Sequence, residues 1–371
     1  MSKATLFKHI DGLLGPFLCW LLARPQQTVD YPALDTLNGP LLVIRPGGIG
    51  DAVLLLPLLM ALRERFPGRE IDLLCESRNR AVVEMACPTV HSMCYDIAPF
   101  TVLRRLRQRG YAAVFDSEQY HHFSGILAAW SRAPLRVGFK INAKRNALYT
   151  HLVSYDLDGP EEQQFGRLLA ALLGGRVPTL PPKEGILSGL ELARSAKFTP
   201  SPTLPYAVIH TGGSVAAKQW PAARYAGLCE RLTRELGLQT VLVGGAADRG
   251  FVASVRQAAA CETIDLAGEL SLAEVAALCR EAAIFIGPDS GIAHLATAVG
   301  ASSVVLFGPS DPDKWGPGKS GIAVRHPVPC GPCAIFGYNK SCRIYACMRG
   351  IQVKSVLAAI ERLRAGSVSI N

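Results

Sequence analysis

The chain has 371 residues, a length that suggests about two domains. Hydrophobic residues make up 49% of the chain and charged residues 19%, which supplies apolar material for two cores and excludes a disordered protein. The formal charge of +9 favours polyanionic partners such as an anionic membrane surface or phosphorylated substrates. No nucleic acid is expected, because the basic residues are scattered and no zinc-finger or aromatic RNA-binding motif accompanies them.

The first 25 residues are apolar, but they match neither a membrane span nor a signal peptide. The apolar run 13–23 is well short of the ~20 residues that a spanning helix needs. Asp11 interrupts its basic flank, and Arg24-Pro25 replaces the small residues of a cleavage site. Helical spacing relates the apolar positions Leu6, Ile10, Leu13 and Leu14. We expect an amphipathic helix that either packs on the protein or lies on a membrane surface.

From Leu41 onward, short apolar runs alternate with helical stretches. Strands are predicted at 41–45, Ile71–Cys75 and Ala112–Phe115, with helices between them. Prolines interrupt the alternation between residues 176 and 205, after which it resumes. The pattern is typical of two doubly wound α/β domains, residues 1–185 and 186–371, with 1–25 as an added amphipathic segment. If their parallel sheets face each other, ligands bind in the cleft between the carboxyl ends of the strands.

A glycine-rich turn after the first predicted strand carries Asp51. Gly47, Gly48 and Gly50 allow the backbone to approach a ligand closely, and Asp51 lies at the start of the following helix. Two alternatives remain open: a helix cap without a chemical role, and an ordinary glycine-rich turn. The dinucleotide fingerprint fails, because Val53 occupies the position of its last glycine, so no nicotinamide cofactor is expected.

A loop of small residues in the C-terminal half has the features of a phosphate site. It follows the predicted strand that ends at His210 and carries Lys218 just before a helix opened by Pro221. Backbone N–H groups together with one ammonium group form a common phosphate cradle. The alternative is a solvated surface lysine.

A second segment of this half carries Asp289, Ser290, Gly291 and His294 after another buried strand, at the start of a helix. The first N–H groups of that helix suit a diphosphate, and the Ser290 hydroxyl adds a donor. Because a carboxylate repels phosphate, we expect Asp289 to bind sugar hydroxyls or to orient neighbouring groups. The alternative is a capped core helix in which His294 is a half-buried structural histidine.

The 11 cysteines fall into two groups. Those such as Cys229 and Cys279 lie in apolar helical runs, where a thiol behaves as a small hydrophobic side chain, and this usage favours a reducing compartment. The other group shares one short C-terminal segment: Cys330, Cys333, Cys342 and Cys347. A structural tetrathiolate site for zinc or iron is compatible with this spacing, and reduced thiols and disulfides are the alternatives.

In their order and spacing, the motifs of this chain resemble glycosyltransferase family 9, the ADP-heptose:lipopolysaccharide heptosyltransferases. The resemblance extends from about Leu41 to Arg364. It rests on G-D-x5-P from Gly50 to Pro57, K-x-W-P from Lys218 to Pro221, G-P-D-S-G-x-x-H from Gly287 to His294, G-P-S-D-P from Gly308 to Pro312, and the cysteine-rich tail ending at Cys347-Met348. The resemblance implies a GT-B fold of two facing Rossmann-like domains, with the acceptor in the first and the nucleotide sugar in the second.

The resemblance also implies roles for the residues at matching positions. Asp51 is the general base that deprotonates the acceptor hydroxyl, and Lys218 binds the donor phosphates and stabilises the departing diphosphate. The other donor-binding positions are Asp289, Ser290, Gly291 and His294, with Asp248 as the candidate for the ribose and Ser214 as a loop hydroxyl before the lysine. Because lysine and helix amide dipoles can do the work of a metal on the diphosphate, no catalytic metal is required. Some relatives that glycosylate autotransporter proteins carry iron in a cysteine loop.

The implied function is inverting transfer of heptose from ADP-heptose to a lipopolysaccharide inner-core glycolipid. A cytoplasmic protein is expected, peripheral on the inner face of the cytoplasmic membrane if it binds that anionic surface. A basic group of the N-terminal half either meets the phosphorylated acceptor or forms a solvated basic face: His121, His122, Arg132, Lys140, Lys144 and Arg145. The alternatives are a relative that glycosylates a protein or another glycan, a GT-B nucleotide-sugar epimerase or hydrolase, and a non-catalytic scaffold. Retention of Asp51 and Lys218 argues against the scaffold.

Overall fold

The structure is a computed structural model that describes residues 3–23, 31–198, 204–213, 215–334 and 342–367. The chain divides into two compact units, an N-terminal unit, Met1–Pro181, and a C-terminal unit, Pro182–Asn371. This division falls a few residues before the boundary expected between residues 185 and 186. Ser214, a predicted donor-binding residue, lies outside the described residues.

Within the described residues, the N-terminal unit contains a six-stranded sheet whose neighbouring strands are all parallel. Its strands are β1 (Leu41–Arg45), β2 (Ile71–Cys75), β3 (Val90–Cys94), β4 (Ala113–Asp116), β5 (Leu135–Phe139) and β6 (His151–Val153). The order across the sheet is β3-β2-β1-β4-β5-β6. The carboxyl ends of β1 and β4 therefore adjoin at the point where the strand order reverses, which is where such sheets bind ligands.

Helices cover both faces of this sheet. They are α1 (Lys3–Leu22), α2 (Ile49–Arg65), α3 (Ser77–Ala86), α4 (Pro99–Gln108), α5 (His122–Trp130) and α6 (Glu161–Leu172). Helix α2 packs against α3 and α6, whereas α5 packs against α1 and α4. Because helices lie on both faces, β1 and β2 are buried at every position, which is why the sequence shows them as continuous apolar runs.

Helix α1 packs on α5 with a different side from the one that its apolar spacing suggested. Asp11 faces α5 and accepts hydrogen bonds from its first backbone N–H groups, and Gly15 lies against His122. Leu13 and Leu14, by contrast, are exposed. Of the helices that the structure describes, none is long and apolar enough to cross a membrane.

The described part of the C-terminal unit contains a second six-stranded parallel sheet, in the order β12-β11-β10-β7-β8-β9. Its strands are β7 (Tyr206–His210), β8 (Gln239–Val243), β9 (Thr263–Asp265), β10 (Ile284–Pro288), β11 (Ser303–Phe307) and β12 (Gly321–Arg325). Its helices are α7 (Ala222–Leu236), α8 (Arg249–Ala258), α9 (Leu272–Glu281), α10 (Gly291–Ala298), α11 (Pro312–Trp315), α12 (Ala346–Gly350) and α13 (Val353–Ser367). Both units thus have a Rossmann-like α/β sheet, which confirms the predicted GT-B fold class.

Candidate functional site

Asp51 stands at the carboxyl end of β1, in the first turn of α2. Its Oδ2 atom accepts a hydrogen bond of 2.7 Å from the backbone N–H of Gly48. Gly47 has a φ of +134°, and a Cβ atom there would lie 2.4 Å from the same carboxylate oxygen. Glycine at this position is therefore required both by the backbone conformation and by the close approach of the Asp51 carboxylate.

Arg45, the last residue of β1, holds the other oxygen of this carboxylate. Its Nη2 atom donates to Oδ1 of Asp51 at 2.7 Å, and its Nη1 atom donates to the backbone oxygen of Ser117 at 2.7 Å. The guanidinium is buried and lies 5.0 Å from the centre of the Phe165 ring. The Asp51 side chain remains 37% exposed. Since a carboxylate has about four lone-pair positions, it can accept these two bonds and still accept one from a ligand hydroxyl.

A buried polar network surrounds the Arg45 guanidinium. Glu161 lies 3.9 Å from Nη2 and hydrogen-bonds to both Gln119 and Tyr155. Burial by itself would lower the pKa of Arg45, but the carboxylates of Asp51 and Glu161 raise it above its ordinary value. The arginine is therefore a permanent cation that fixes Asp51. Arg45 was not among the residues predicted to be functional, although a charged residue at the end of an apolar strand is a signal.

In the C-terminal unit, Lys218 and Asp289 form a buried ion pair at the carboxyl edge of the second sheet. The Lys218 Nζ atom donates to Oδ2 of Asp289 at 2.5 Å, and the Ser310 hydroxyl donates to the same oxygen at 2.5 Å. Burial alone would raise the pKa of Asp289, but Lys218 and His294 hold it below its ordinary value. Lys218 is only 9% exposed, so it is not the solvated surface lysine of the alternative interpretation.

Ser290 and two histidines complete this group. The Ser290 hydroxyl caps α10 by accepting from the N–H of Ala293, and it lies 3.3 Å from Nδ1 of His210. Burial lowers the pKa of His210 to about 4, so the ring is neutral at neutral pH. The His294 Nε2 atom lies 3.8 Å from Oδ1 of Asp289. The helix cap and the burial of His294 agree with the alternative of a capped core helix. A capped helix does not, however, require the buried Lys218–Asp289 ion pair beside it.

Asp248 lies beside the same edge, in the turn after β8. Its Oδ2 atom accepts a hydrogen bond of 2.8 Å from the N–H of Gly245. A Cβ atom on Gly212 would approach this carboxylate to 2.6 Å, so Asp248 packs directly against the loop that leads to Lys218. Nearby, the Thr211 hydroxyl is buried without a hydrogen-bond partner among the described residues. The predicted donor-binding residues that the structure describes are thus brought together at one sheet edge.

The basic residues of the N-terminal unit are not one cluster. His121 follows β4 and Lys140 follows β5, both at the carboxyl edge, whereas Arg132 precedes β5 at the opposite edge. Lys144 is exposed in the 3-10 turn Ala143–Leu148. Arg145, which we expected to be available at the surface, is fully buried, because its guanidinium bonds to Asp116 and to the backbone oxygen of His121.

The four C-terminal cysteines line one cavity of about 140 Å³, together with residues that include Gly308, Pro309 and Tyr345. All eleven cysteines are free thiols, so the disulfide alternative is not what the structure has. Burial raises the pKa of Cys333 and Cys347, and the neighbouring thiols of the group raise it further. Within the described ranges, no group of three or more His, Cys, Asp or Glu side chains has the arrangement needed to hold a metal ion.

Known proteins are similar to this chain in sequence and in fold. A family model described as glycosyltransferase family 9 (heptosyltransferase) matches residues 80–339. Lipopolysaccharide heptosyltransferase 1 of Pseudomonas aeruginosa is 24% identical over 316 residues, which cover 79% of this chain and 85% of the relative.

Solved structures of glycosyltransferases have a similar fold. The structure of E. coli ADP-heptose lipopolysaccharide heptosyltransferase II has a TM-score of 0.69 at 23% identity, covering 89% of this chain and all of that one. The iron-containing dodecameric glycosyltransferase TibC from enterotoxigenic E. coli H10407 has a TM-score of 0.58 at 18% identity, covering 90% and 80%. Since the family model spans well over half of the sequence, this chain belongs to glycosyltransferase family 9 and is a glycosyltransferase.

Proposed function

We propose that this glycosyltransferase moves heptose from ADP-heptose to a phosphorylated inner-core glycolipid of lipopolysaccharide, with inversion at the anomeric carbon. The proposal rests on the observation that each unit carries the groups for one half of the reaction. One unit presents the exposed carboxylate of Asp51 on a fixed arginine, and the other gathers Lys218, Asp289 and Ser290 at a sheet edge. The names of the lipopolysaccharide heptosyltransferases that it resembles support the choice of donor and acceptor.

On the acceptor side, Asp51 is the proposed general base. The acceptor oxygen attacks the anomeric carbon, its proton passes to Asp51, and the bond to the diphosphate breaks on the opposite face of the sugar. Arg45 and the Gly48 N–H each hold one oxygen of the Asp51 carboxylate. The carboxylate therefore cannot rotate away from the acceptor hydroxyl whose proton it takes. Such fixed orientation reduces the entropy that the reacting complex loses.

On the donor side, Lys218 is proposed to stabilise the charge that develops on the departing diphosphate, with help from the first N–H groups of α10. Asp289 pairs with the ammonium inside a buried site and fixes its position. In this proposal, the Asp289 carboxylate orients neighbouring groups and does not contact phosphate oxygens. Asp248 is proposed to bind the ribose hydroxyls, and His294 to support the donor through Asp289.

Transfer can be tested directly with purified protein. We expect release of ADP from ADP-heptose only when an inner-core acceptor is present, and an acceptor product heavier by one heptose. ADP release from the donor alone, without product, would instead identify a hydrolase. A thermal-shift comparison of ADP-, UDP- and GDP-sugars tests the nucleotide, and a protein acceptor in place of the glycolipid tests the relative that modifies proteins.

We further propose that the C-terminal cysteine cavity takes one zinc or iron ion as a structural group. All four cysteines line a common cavity, and thiolate sulfur is the ligand that these ions prefer in such sites. The similar glycosyltransferase TibC is iron-containing, which supports the proposal. The described side chains are not yet arranged as a ligand set, so the thiols would have to move together on binding the ion. No catalytic step requires this ion.

Elemental analysis of protein purified without added metal tests the cysteine proposal. We expect about one ion per chain, lost in Cys333→Ser with a lower melting temperature, because binding free energy at a structural site is folding free energy. Cys261→Ser, at a half-buried cysteine outside the group, is the matched control and should keep the ion. Metal-free protein with four titratable thiols and unchanged stability in the variant would contradict the proposal.

A further inference from the structure

Helix α1 presents a large apolar face to solvent instead of to the protein. The side that packs inward carries Asp11, the small Gly15 and the buried Cys19. The outward side chains are between 43% and 79% exposed: Ile10, Leu13, Leu14, Phe17, Trp20 and Leu21. A contiguous exposed face of this kind marks an interaction surface, because scattered single residues, not clusters, are the norm on soluble proteins.

The orientation of α1 is fixed by its inward side. Asp11 accepts hydrogen bonds from the N–H groups of His122 and Phe123 at 3.1 and 2.7 Å, at the start of α5. Although burial opposes ionisation, the bonds from His121, His122 and Phe123 lower the pKa of Asp11 to about 2. A Cβ atom on Gly15 would lie 2.6 Å from His122, so the two helices are in close contact. The helix therefore cannot turn its apolar face inward without losing these contacts.

Exposed basic side chains lie near this face. They do not include Arg105 and Arg109, which pair with Asp72, or Arg145, which is buried against Asp116. Arg104 on α4 and Lys144 beside α1 are exposed, as is Phe100, which is 85% exposed. The turn that carries Lys144 contacts α1, so a cation adjoins the apolar face, and α4 with Arg104 contacts the same helix α5 on which α1 packs.

We propose that the outward face of α1 docks into the interfacial region of an anionic phospholipid bilayer, with Arg104 and Lys144 against the headgroups. An amphipathic helix with an aromatic and aliphatic face and basic surroundings lies in the plane of such a surface. A second copy of this chain fits less well, because a symmetric contact would bring the same basic surroundings together. Apolar burial and charge attraction both favour the bilayer.

Docking through α1 would also bring the candidate base to the membrane. Asp11 binds the first residues of α5, which begins after β4 at the carboxyl edge of the sheet. Asp51 lies at the same edge, after the adjacent strand β1. This consequence rests on the proposed function, since it matters only for an acceptor that is itself anchored in the bilayer. The sugar end of such an acceptor would then meet the Asp51 edge without leaving the membrane.

Vesicle co-sedimentation tests the docking independently of the transfer reaction. We expect the full chain to bind vesicles of phosphatidylcholine and phosphatidylglycerol, and the double substitution Leu13→Ser/Phe17→Ser to weaken binding by at least about tenfold. Leu157→Ser/Leu204→Ser, at two positions about half exposed elsewhere, is the matched control and should bind as the wild type does. Arg104→Gln/Lys144→Gln should weaken binding to these vesicles by roughly fivefold or more for each charge, and should not change binding to pure phosphatidylcholine.

Transfer assays separate this inference from the proposed function. The α1 double variant should lose transfer to acceptor embedded in vesicles and keep wild-type transfer to a soluble, deacylated acceptor. A wild type that transfers to neither acceptor contradicts the proposed function, while vesicle binding still decides the docking. Equal vesicle binding by the wild type and the α1 variant overturns the inference. The inference is also overturned if the wild type is a dimer in gel filtration and the α1 variant is a monomer, since a second copy would then cover the face.

Discussion

Asp51 and Asp248 occupy the same kind of turn in the two units, but with different neighbours. Each follows a strand as the last residue of Gly-Gly-x-x-Asp, and each accepts a hydrogen bond from the second glycine, at 2.7 Å and 2.8 Å. Asp51 also holds the buried Arg45, whereas Asp248 packs against Gly212. The turn itself is thus a structural device for placing a carboxylate at a sheet edge. The residues around the carboxylate, not the turn, distinguish a candidate base from a candidate ligand of the ribose.

Substituting both aspartates by asparagine tests this distinction and should give the largest effect. Asparagine can still accept the glycine N–H, so the turn is kept, but it cannot take a proton. We expect Asp51→Asn to lower kcat by roughly 10²–10⁴-fold, the usual contribution of a general base, with ADP affinity within a few-fold of wild type. Asp248→Asn should mainly raise the KM for the donor. Steady-state kinetics and calorimetric titration of ADP measure both, and an equal loss of ADP affinity in Asp51→Asn would reduce Asp51 to a helix cap.

Arg45→Met tests the neighbour that separates the two turns. The substitution leaves Glu161 buried without its cation and frees one oxygen of Asp51, so the free energy of unfolding should fall by about 3–5 kcal/mol. Urea unfolding measures this loss. Arg249→Met, at the residue after Asp248, is the control, because Arg249 is largely exposed and a solvent-screened surface pair such as the one with Glu269 contributes little to stability. Equal small effects would show that Arg45 does not fix Asp51.

Lys218→Ala tests the ion pair of the C-terminal unit. A charge-assisted contact of this kind contributes roughly 1.5–3 kcal/mol, so kcat/KM should fall by about 10–150-fold, with losses in both donor binding and turnover. The exposed Lys197, which pairs with Glu269, provides the control Lys197→Ala and should leave the kinetics unchanged. If the KM for the donor and kcat both stay near wild type in Lys218→Ala, the pair with Asp289 is only structural.

The smallest expected effect concerns Asp11, a carboxylate that accepts backbone N–H groups as Asp51 and Asp248 do, but from another helix. Its folded-state pKa of about 2 lies below the ordinary 3.8, so its ionised form stabilises the fold above pH 4. That contribution should be lost as the pH falls from 4 to 2. Asp11→Asn should therefore be about 1–2 kcal/mol less stable than wild type at pH 7, and the difference should shrink toward pH 2 in urea unfolding. A difference independent of pH would mean that shape, not charge, holds α1.

Some features of this protein were predictable because they are local. The strand Ile71–Cys75 was predicted with the bounds that the structure has, since a buried parallel strand leaves a continuous apolar run. The strand predicted at Ala112–Phe115 is shifted by one residue, to Ala113–Asp116, because periodicity marks an element better than its ends. The glycines before Asp51 predicted a turn, and Gly47 does have a positive φ. These signals fixed the two α/β units and the sequence positions of the candidate residues.

Tertiary structure decided which of those residues meet and which of them see water. Arg145 and Lys218 look like surface cations in sequence, yet both are buried. Each pairs with a carboxylate from another part of its unit, Arg145 with Asp116 and Lys218 with Asp289. The apolar spacing of α1 could not reveal its outward side, because Asp11 binds N–H groups of a helix more than a hundred residues away. The sequence by itself determined the elements and their chemistry, since periodicity and turn preferences act over a few residues. Burial, ion pairing and exposure depend on contacts between distant segments, and only the folded chain decides them.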